Sequence, residues 1–224
     1  MFTDNHCHIL PRIDDGARDS KMALAMLEKM RSQGVDRVVA TPHFYAHHEK
    51  SVEGFLKKRD SSYHRIRKES PLPIRLGAEV AIEYGLSYKE NINKLAIEGT
   101  NVILLELPYR RFESWMPEEI ETVASEYGLT VMLAHIHRYL SFYSRDDMER
   151  ILDLDVIFQV NNEAFKSFRE KLFIRRLIKE GREIALGSDS HNLMDRRPNW
   201  EIVNKKADKN VIENSNTILD RYSI

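Results

Sequence analysis

The stretch Asn101-Val-Ile-Leu-Leu-Glu-Leu107 is apolar at nearly every position and does not alternate. A strand with one wet face alternates with period two. A strand that is apolar on both sides is buried on both, as in parallel sheets covered by helices. On either side of it, β-branched or leucine-rich runs of the same kind recur at 2–7, 36–40, 74–80, 129–135, 156–161 and 183–187, which with 101–107 makes seven expected strands. Helical stretches lie between them. Asp19 or Ser20 caps a helix that ends at Gly34, and 51–70 is long, charged and closed by Pro71. Pro117 stands where a first helical residue belongs, before a run closed by Gly128. Ser144 precedes R-D-D-M-E-R-I-L, and 164–180 carries Phe165, Phe168, Leu172, Ile174, Leu177 and Ile178 at mostly helical spacing before Gly181. Segment 84–97 shows no clear period. Strands alternating with helices predict a parallel α/β architecture. No Gly-rich loop follows the first strand, which argues against a nucleotide-binding Rossmann fold. No linker, low-complexity segment or repeat interrupts the rhythm, so the reading is one domain over 1–224.

The bulk numbers restrict the function classes. In 224 residues, 42% are hydrophobic and 31% charged, as in an ordinary globular protein. The net charge of -1 gives no global basic field, so no nucleic-acid partner is expected. Cys7 is the single cysteine, which rules out an intrachain disulfide and fits a reducing compartment. The first residues lack the basic and apolar regions of a signal peptide, and no run of about 18 apolar residues exists. A cytoplasmic protein with no membrane span is expected.

The polar residues at the C-terminal ends of these strands then stand out. The first strand ends in D-N-H-C-H, giving His6 and His8, followed by Asp14 and Asp15; the second ends in T-P-H, giving His43. The third ends in G-A-E, giving Glu79, and the fourth holds Glu106 in L-L-E-L. The fifth leads to A-H-I-H-R-Y, with His135, His137 and Arg138, and the seventh to G-S-D-S-H, with Asp189 and His191. Residues i and i+2 of a strand share a face, so His6 and His8 aim at one point and Cys7 away from it. Asp189 and His191 are expected to repeat that geometry. A lone glutamate in an apolar strand is costly to bury without a cation. Any one of these residues could be a satisfied core polar group. Together His6, His8, Asp15, His43, Glu79, Glu106, His135, Asp189 and His191 form a set of nitrogen and oxygen donors too large for one ion, which suggests two or three with bridging carboxylates. His47, His48 and His64 read as solvated, His137, two residues from His135, as either a further ligand or a pocket-lining residue, and Cys7 as core.

The segments HCHILPRIDDGA, T-P-H, G-A-E, the E-L-P of residues 106–108, A-H-I-H-R-Y and S-D-S-H follow one another in the order found in the PHP (polymerase and histidinol phosphatase) superfamily. The sequence most resembles the bacterial protein-tyrosine phosphatases of the CpsB/CapC type, over nearly the full chain. The resemblance implies a distorted seven-stranded (β/α) barrel with a trinuclear centre. The metal would be manganese first, with iron, zinc or magnesium as the other candidates, on the nine residues above. It takes the second aspartate of D-D-G, Asp15, as the ligand, with Asp14 the alternative. It makes Arg138 and Arg196 the phosphate-binding residues, with Arg197 the alternative to Arg196. Relatives tend to carry an acidic residue where this chain has His137, a departure that bears on substrate preference. The implied reaction is hydrolysis of phosphotyrosine by a hydroxide held on the ions. The implied partner is a phosphotyrosine protein, the tail of a bacterial tyrosine kinase in capsule or exopolysaccharide regulation. No C-x5-R signature surrounds Cys7, so no cysteinyl-phosphate step is needed. Tyr45, Tyr109, Phe112 and Trp115, in the loops after the second and fourth strands, offer rings for a phenyl group, and Arg110 and Arg111 offer charge to acidic flanking residues. Rival readings are a histidinol phosphatase or other small-molecule phosphoesterase, and a metal-binding regulatory protein without turnover.

Overall fold

The computed structural model describes residues 2–224, as a mixed α/β protein whose strands pair in parallel. Among the described residues, strands β1 (Phe2–Cys7), β2 (Val35–Ala40) and β4 (Ile74–Leu76) form one sheet in the order β1-β2-β4. Strands β3 (His43–Phe44), β5 (Glu79–Ala81), β6 (Val102–Glu106), β7 (Thr130–Leu133), β8 (Ile157–Asn161) and β9 (Ile184–Gly187) form the other, in chain order.

The strand expected over 36–40 is found as β2, and beyond Thr41-Pro42 the chain adds the short strand β3; the third, expected unbroken over 74–80, stops at Gly77-Ala78 and resumes as β5. Pro42 has no N–H to give a ladder, and the two breaks lie opposite each other. Gly77 N–H donates to Ala40 O (2.9 Å) and Glu79 N–H to Pro42 O (3.0 Å), so the pairing crosses the gap. The free edges also meet: His8 N–H donates to Ser190 O (2.9 Å) and Asp189 N–H to His6 O (2.8 Å), tying β1 to the end of β9.

The helices follow their caps. Helix α1 (Ser20–Ser32) starts at Asp19, whose carboxylate accepts Met22 N–H, and α2 (Val52–His64) starts at Ser51, whose hydroxyl accepts Gly54 N–H. Helix α2 ends at His64, short of Ser70, and tightens into turns closed at 2.9–3.1 Å. Helix α3 (Trp115–Tyr127) begins two residues before Pro117, which still lies in the first turn, where its missing N–H costs nothing. Ser144 caps α4 (Arg145–Leu152). Helix α5 (Phe168–Lys179) starts later than the periodicity predicts, because Ser167 caps it and Asn162–Lys166 is a 3-10 turn. The unassigned 84–97 holds two 3-10 turns, Leu86–Tyr88 and Ile92–Leu95. Helices α6 (Trp200–Lys206) and α7 (Lys209–Thr217) add to the elements expected from the sequence.

Both faces of the strands are buried, as Asn101–Leu107 predicts. On β6, Ile103 and Leu105 join the core beneath the helices, while Val102 and Leu104 join an inner layer with Val39, Met132, Ile157 and Ala185. By the period of two, Glu106 continues the inner row of Val102 and Leu104, and on β8 Gln159 and Asn161 continue the inner row of Ile157. The inner apolar layer therefore gives way to polar residues toward the C-terminal ends of the strands.

Candidate metal centre

All nine residues read from the sequence as metal-facing converge at those strand ends. Glu79 is the hub. Its Oε2 lies 3.2 Å from His6 Nε2, 3.1 Å from His8 Nε2 and 3.1 Å from His43 Nδ1, and its Oε1 lies 2.9 Å from His135 Nε2. Glu106 Oε1 is 3.4 Å from His135 Nε2. Asp189 Oδ1 is 3.5 Å from His8 Nε2 and 3.7 Å from His6 Nε2. Asp15 Oδ1 closes the far side, 3.4 Å from His43 Nε2 and 3.3 Å from His191 Nε2. Their nitrogen and oxygen atoms fall into three overlapping groups, each within 4.8 Å, that could hold an ion: His8, Asp15, His43 and His191; His6, His8 and Asp189; His43, Glu79 and Glu106. His135 joins through the two glutamates.

The local backbone explains the placement. After β1 the chain folds back so tightly that a Cβ on Gly16 would sit 2.2 Å from His8 O; only glycine fits there. That turn swings Asp14 beneath His8, where its Oδ2 accepts from His8 Nδ1–H (2.8 Å) and from His43 N–H (3.2 Å). Asp14 is thereby occupied in orienting His8, and Asp15 faces the cluster. Asp189 and His191 do not repeat the strand geometry of His6 and His8. β9 ends at Gly187, and Asp189 has φ +48. His135 also lies at positive φ (+31). Such backbone is uncommon for non-glycine residues and gathers at functional sites.

The donor set fits divalent cations. His8 gives its Nδ1–H to Asp14, and His6 Nδ1 faces Gln159 Oε1 at 3.0 Å. In the neutral tautomers both Nε2 atoms then present lone pairs, to each other at 3.2 Å and to Glu79. His43 Nδ1 and His191 Nε2 are buried without a hydrogen-bond partner. Lone pairs and carboxylates converging with no donor between them need positive charge. In the ion-free protein protons supply part of it. Burial alone would lower the His8 pKa, but Asp14 and Glu79 hold it well above the ordinary imidazole value. For His135, Glu106 and Glu79 overcome burial and push it up to about 9. Burial opposes ionisation of Glu79 and Asp189 too, yet the charge of His6 holds both carboxyls well below their usual range. A cation held by these residues would take the place of those protons.

Two guanidinium groups flank the cluster. Arg138 Nη2 lies 2.8 Å from Asp189 Oδ2 and donates to Glu163 Oε1 (3.0 Å); its Nη1 donates to the Tyr109 hydroxyl (3.3 Å). Arg196 Nη2 reaches both Asp189 oxygens, at 3.0 and 3.1 Å, and its Nη1 lies 3.5 Å from Asp15 Oδ2. Arg197 turns away to Glu201 (3.1 Å). Both Arg138 and Arg196 line a cleft of about 650 Å³ with Glu79, Glu106, Tyr45 and Tyr109. Tyr45 tilts over His43 and Tyr109 stacks on His135, with ring centroids 5.5 and 5.7 Å apart. Arg110 also lines the cleft, whereas Phe112 packs on Tyr143, Trp115 packs on Tyr84, and Arg111 is exposed. His137 is buried and outside the lining, with Nδ1 unpartnered, which corrects its reading as a pocket residue. His47 is solvated but tied to Glu83 at 2.7 Å. Cys7 is core, with its thiol donating to Val39 O. The sequence reading missed Gln159, Asn161 and Glu163. Their one signal is the placement of polar residues at alternate positions at the end of an otherwise apolar strand.

Comparison with known proteins places the chain in a family. The family model for capsular polysaccharide synthesis, CpsB/CapC, matches residues 2–220. The tyrosine-protein phosphatase CpsB of Streptococcus pneumoniae is 28% identical over 232 residues, covering 91% of this chain and 90% of that protein. The tyrosine-protein phosphatase YwqE of Bacillus subtilis is 25% identical over 202 residues, covering 86% and 78%. Among solved structures, one from the work on YwqE of Bacillus subtilis and CpsB of Streptococcus pneumoniae, described as unique metal-dependent tyrosine phosphatases, superposes with a TM-score of 0.75 at 21% identity, covering 99% of this chain and 95% of that one. It shares the fold.

Proposed function

The chain belongs to the CpsB/CapC family of capsular polysaccharide synthesis, and from that premise we propose that it hydrolyses phosphotyrosine in proteins, using divalent ions held by the nine-residue cluster. The observation that carries the reading is Glu79, one buried carboxylate within 3.2 Å of four imidazoles, with two guanidinium groups beside it. Two or three ions, manganese foremost, match the three overlapping donor groups. The hydrogen bonds that join β1 to β9 and bridge the gaps at Thr41-Pro42 and Gly77-Ala78 support closure of the sheets into a seven-stranded barrel of one domain spanning 1–224.

Bound ions would neutralise phosphoryl oxygens and lower the pKa of a bound water toward neutrality. The chain's own groups do the rest. Arg138 and Arg196 project paired N–H donors into the cleft, where they grip phosphoryl oxygens as charge develops. Their carboxylate partner Asp189 keeps both groups aimed there. Tyr45 and Tyr109 flank the cleft with apolar ring faces suited to the phenyl ring of the substrate. Burial raises the pKa of both phenols to about 12, so they stay neutral and do not repel the phosphate. Cys7 plays no part. Its thiol is buried, and burial pushes its pKa up, so it is neither a thiolate nor within reach.

The physiological partner in this reading is the tyrosine-rich tail of a bacterial tyrosine kinase that controls capsule or exopolysaccharide synthesis, met in the cytoplasm. No helix among the described residues is long and apolar enough to cross a membrane. The test is a comparison of kcat/KM. Tyrosine-phosphorylated peptides should exceed phosphoserine peptides and histidinol phosphate by more than tenfold, a gap of about 1.4 kcal/mol in the barrier. A tenfold preference for histidinol phosphate would replace this reading with a histidinol phosphatase, and no turnover of any of them would leave a metal-binding protein.

A further inference from the structure

We infer that Gln159 and Asn161, neither of them a candidate ligand, are positioning residues that set the direction of the metal-facing histidine and aspartate; the inference rests on the metal-dependent reading above. Both side chains are fully buried on the inner face of β8, the row that begins with Ile157. A buried amide is tolerated only when its donors and acceptors are met, and here the cluster meets them. Gln159 Oε1 accepts the His135 backbone N–H at 2.7 Å and faces His6 Nδ1 at 3.0 Å. An oxygen can only accept, so His6 carries its proton on Nδ1 and turns the Nε2 lone pair to the cluster. The same bond clamps the backbone of His135, held at φ +31.

The direction propagates. Gln159 Nε2 donates to Asn161 Oδ1 (3.0 Å), which leaves Asn161 Nδ2 to donate to Asp189 Oδ2 (3.0 Å) and Glu163 Oε1 (3.0 Å). Glu163 in turn accepts from Arg138 (3.0 Å). One column of hydrogen bonds therefore orients His6, His135, Asp189 and Arg138 together. Reversing either amide would set a donor against a donor or an oxygen against a carboxylate.

A second observation is independent of these bonds. A Cβ on Gly187 of β9 would lie 2.7 Å from His6 Cβ and 2.9 Å from Gln159 Nε2. Gly187 has no positive φ to require glycine. Its missing side chain is the space that lets His6 and Gln159 meet.

The test uses the full chain with zinc as the probe. Zinc affinity is measured by chelator competition, and the His6 Hδ1 resonance is followed in zinc-loaded, histidine-labelled protein. Gln159→Leu, similar in volume, should bind zinc about 10–100-fold more weakly, the range for loss of a partner behind a metal ligand, and should move the Hδ1 resonance upfield. Gln159→Glu keeps the accepting oxygen and should keep the resonance downfield. Gly187→Ala, which leaves every polar partner in place, should also weaken zinc binding, and it carries the test if the leucine variant does not fold. Wild-type affinity with an unshifted Hδ1 in Gln159→Leu, or wild-type affinity in Gly187→Ala, would overturn the inference. A wild-type protein that binds no zinc would overturn the metal reading itself, an outcome seen before any variant is compared.

Discussion

Replacing Glu79 by glutamine should lower kcat/KM toward a tyrosine-phosphorylated peptide by roughly a thousandfold and reduce the metal content with it. The substitution preserves shape in a site with no room to relax, since Glu79 is 1% exposed. It removes the negative charge that four imidazoles surround and places an amide N–H₂ against some of their lone pairs. Lewis-acid stabilisation of a phosphoryl transition state is worth several kcal/mol, and about 4 kcal/mol corresponds to roughly a thousandfold in rate. Metal per protein, counted by mass spectrometry, separates this account from a folding defect: the variant should be folded, metal-poor and slow. Full metal occupancy with wild-type kinetics would show that Glu79 is only a core carboxylate.

Replacing Arg138 by alanine should produce a different pattern, with metal retained and kcat/KM lower by about 10²- to 10³-fold, the effect of losing one preorganised donor to developing charge. Arg138 holds Asp189, but so do Arg196 and Asn161, so the carboxylate keeps its place in the variant. Arg138→Lys should recover little, because an ammonium cannot reproduce the planar pair of donors. Parallel loss of metal and activity would make Arg138 a structural partner of Asp189. Unchanged kinetics would remove it from the site.

Much of this was legible in the sequence. The apolar run around Leu104 foretold strands buried on both faces, because a side-chain period of two cannot hide a wet face. The candidate ligands could be read because histidines and carboxylates are conspicuous at the ends of apolar strands. Three kinds of information were not legible. Chain breaks at Thr41-Pro42 and Gly77-Ala78 depend on each other across the sheet, so neither looks decisive alone. The resemblance favoured Asp15 over Asp14 and Arg196 over Arg197, but their directions are set by the tight turn at Gly16 and by the loop after β9, where Asp189 takes positive φ. Gln159 and Asn161 are neutral amides at alternate positions, a pattern shared with any strand that has one polar face. Only their bonds to His6, His135 and Asp189 set them apart.

Metal ions at this cluster are expected to drive the cleavage of phosphotyrosine. The most direct measurement is turnover of a tyrosine-phosphorylated peptide by wild-type protein stripped with EDTA, verified metal-free and then titrated with manganese. Cleavage should be undetectable in the stripped protein and its recovery should saturate at two or three ions per chain. Full cleavage by the verified metal-free protein would rule out metal-driven hydrolysis.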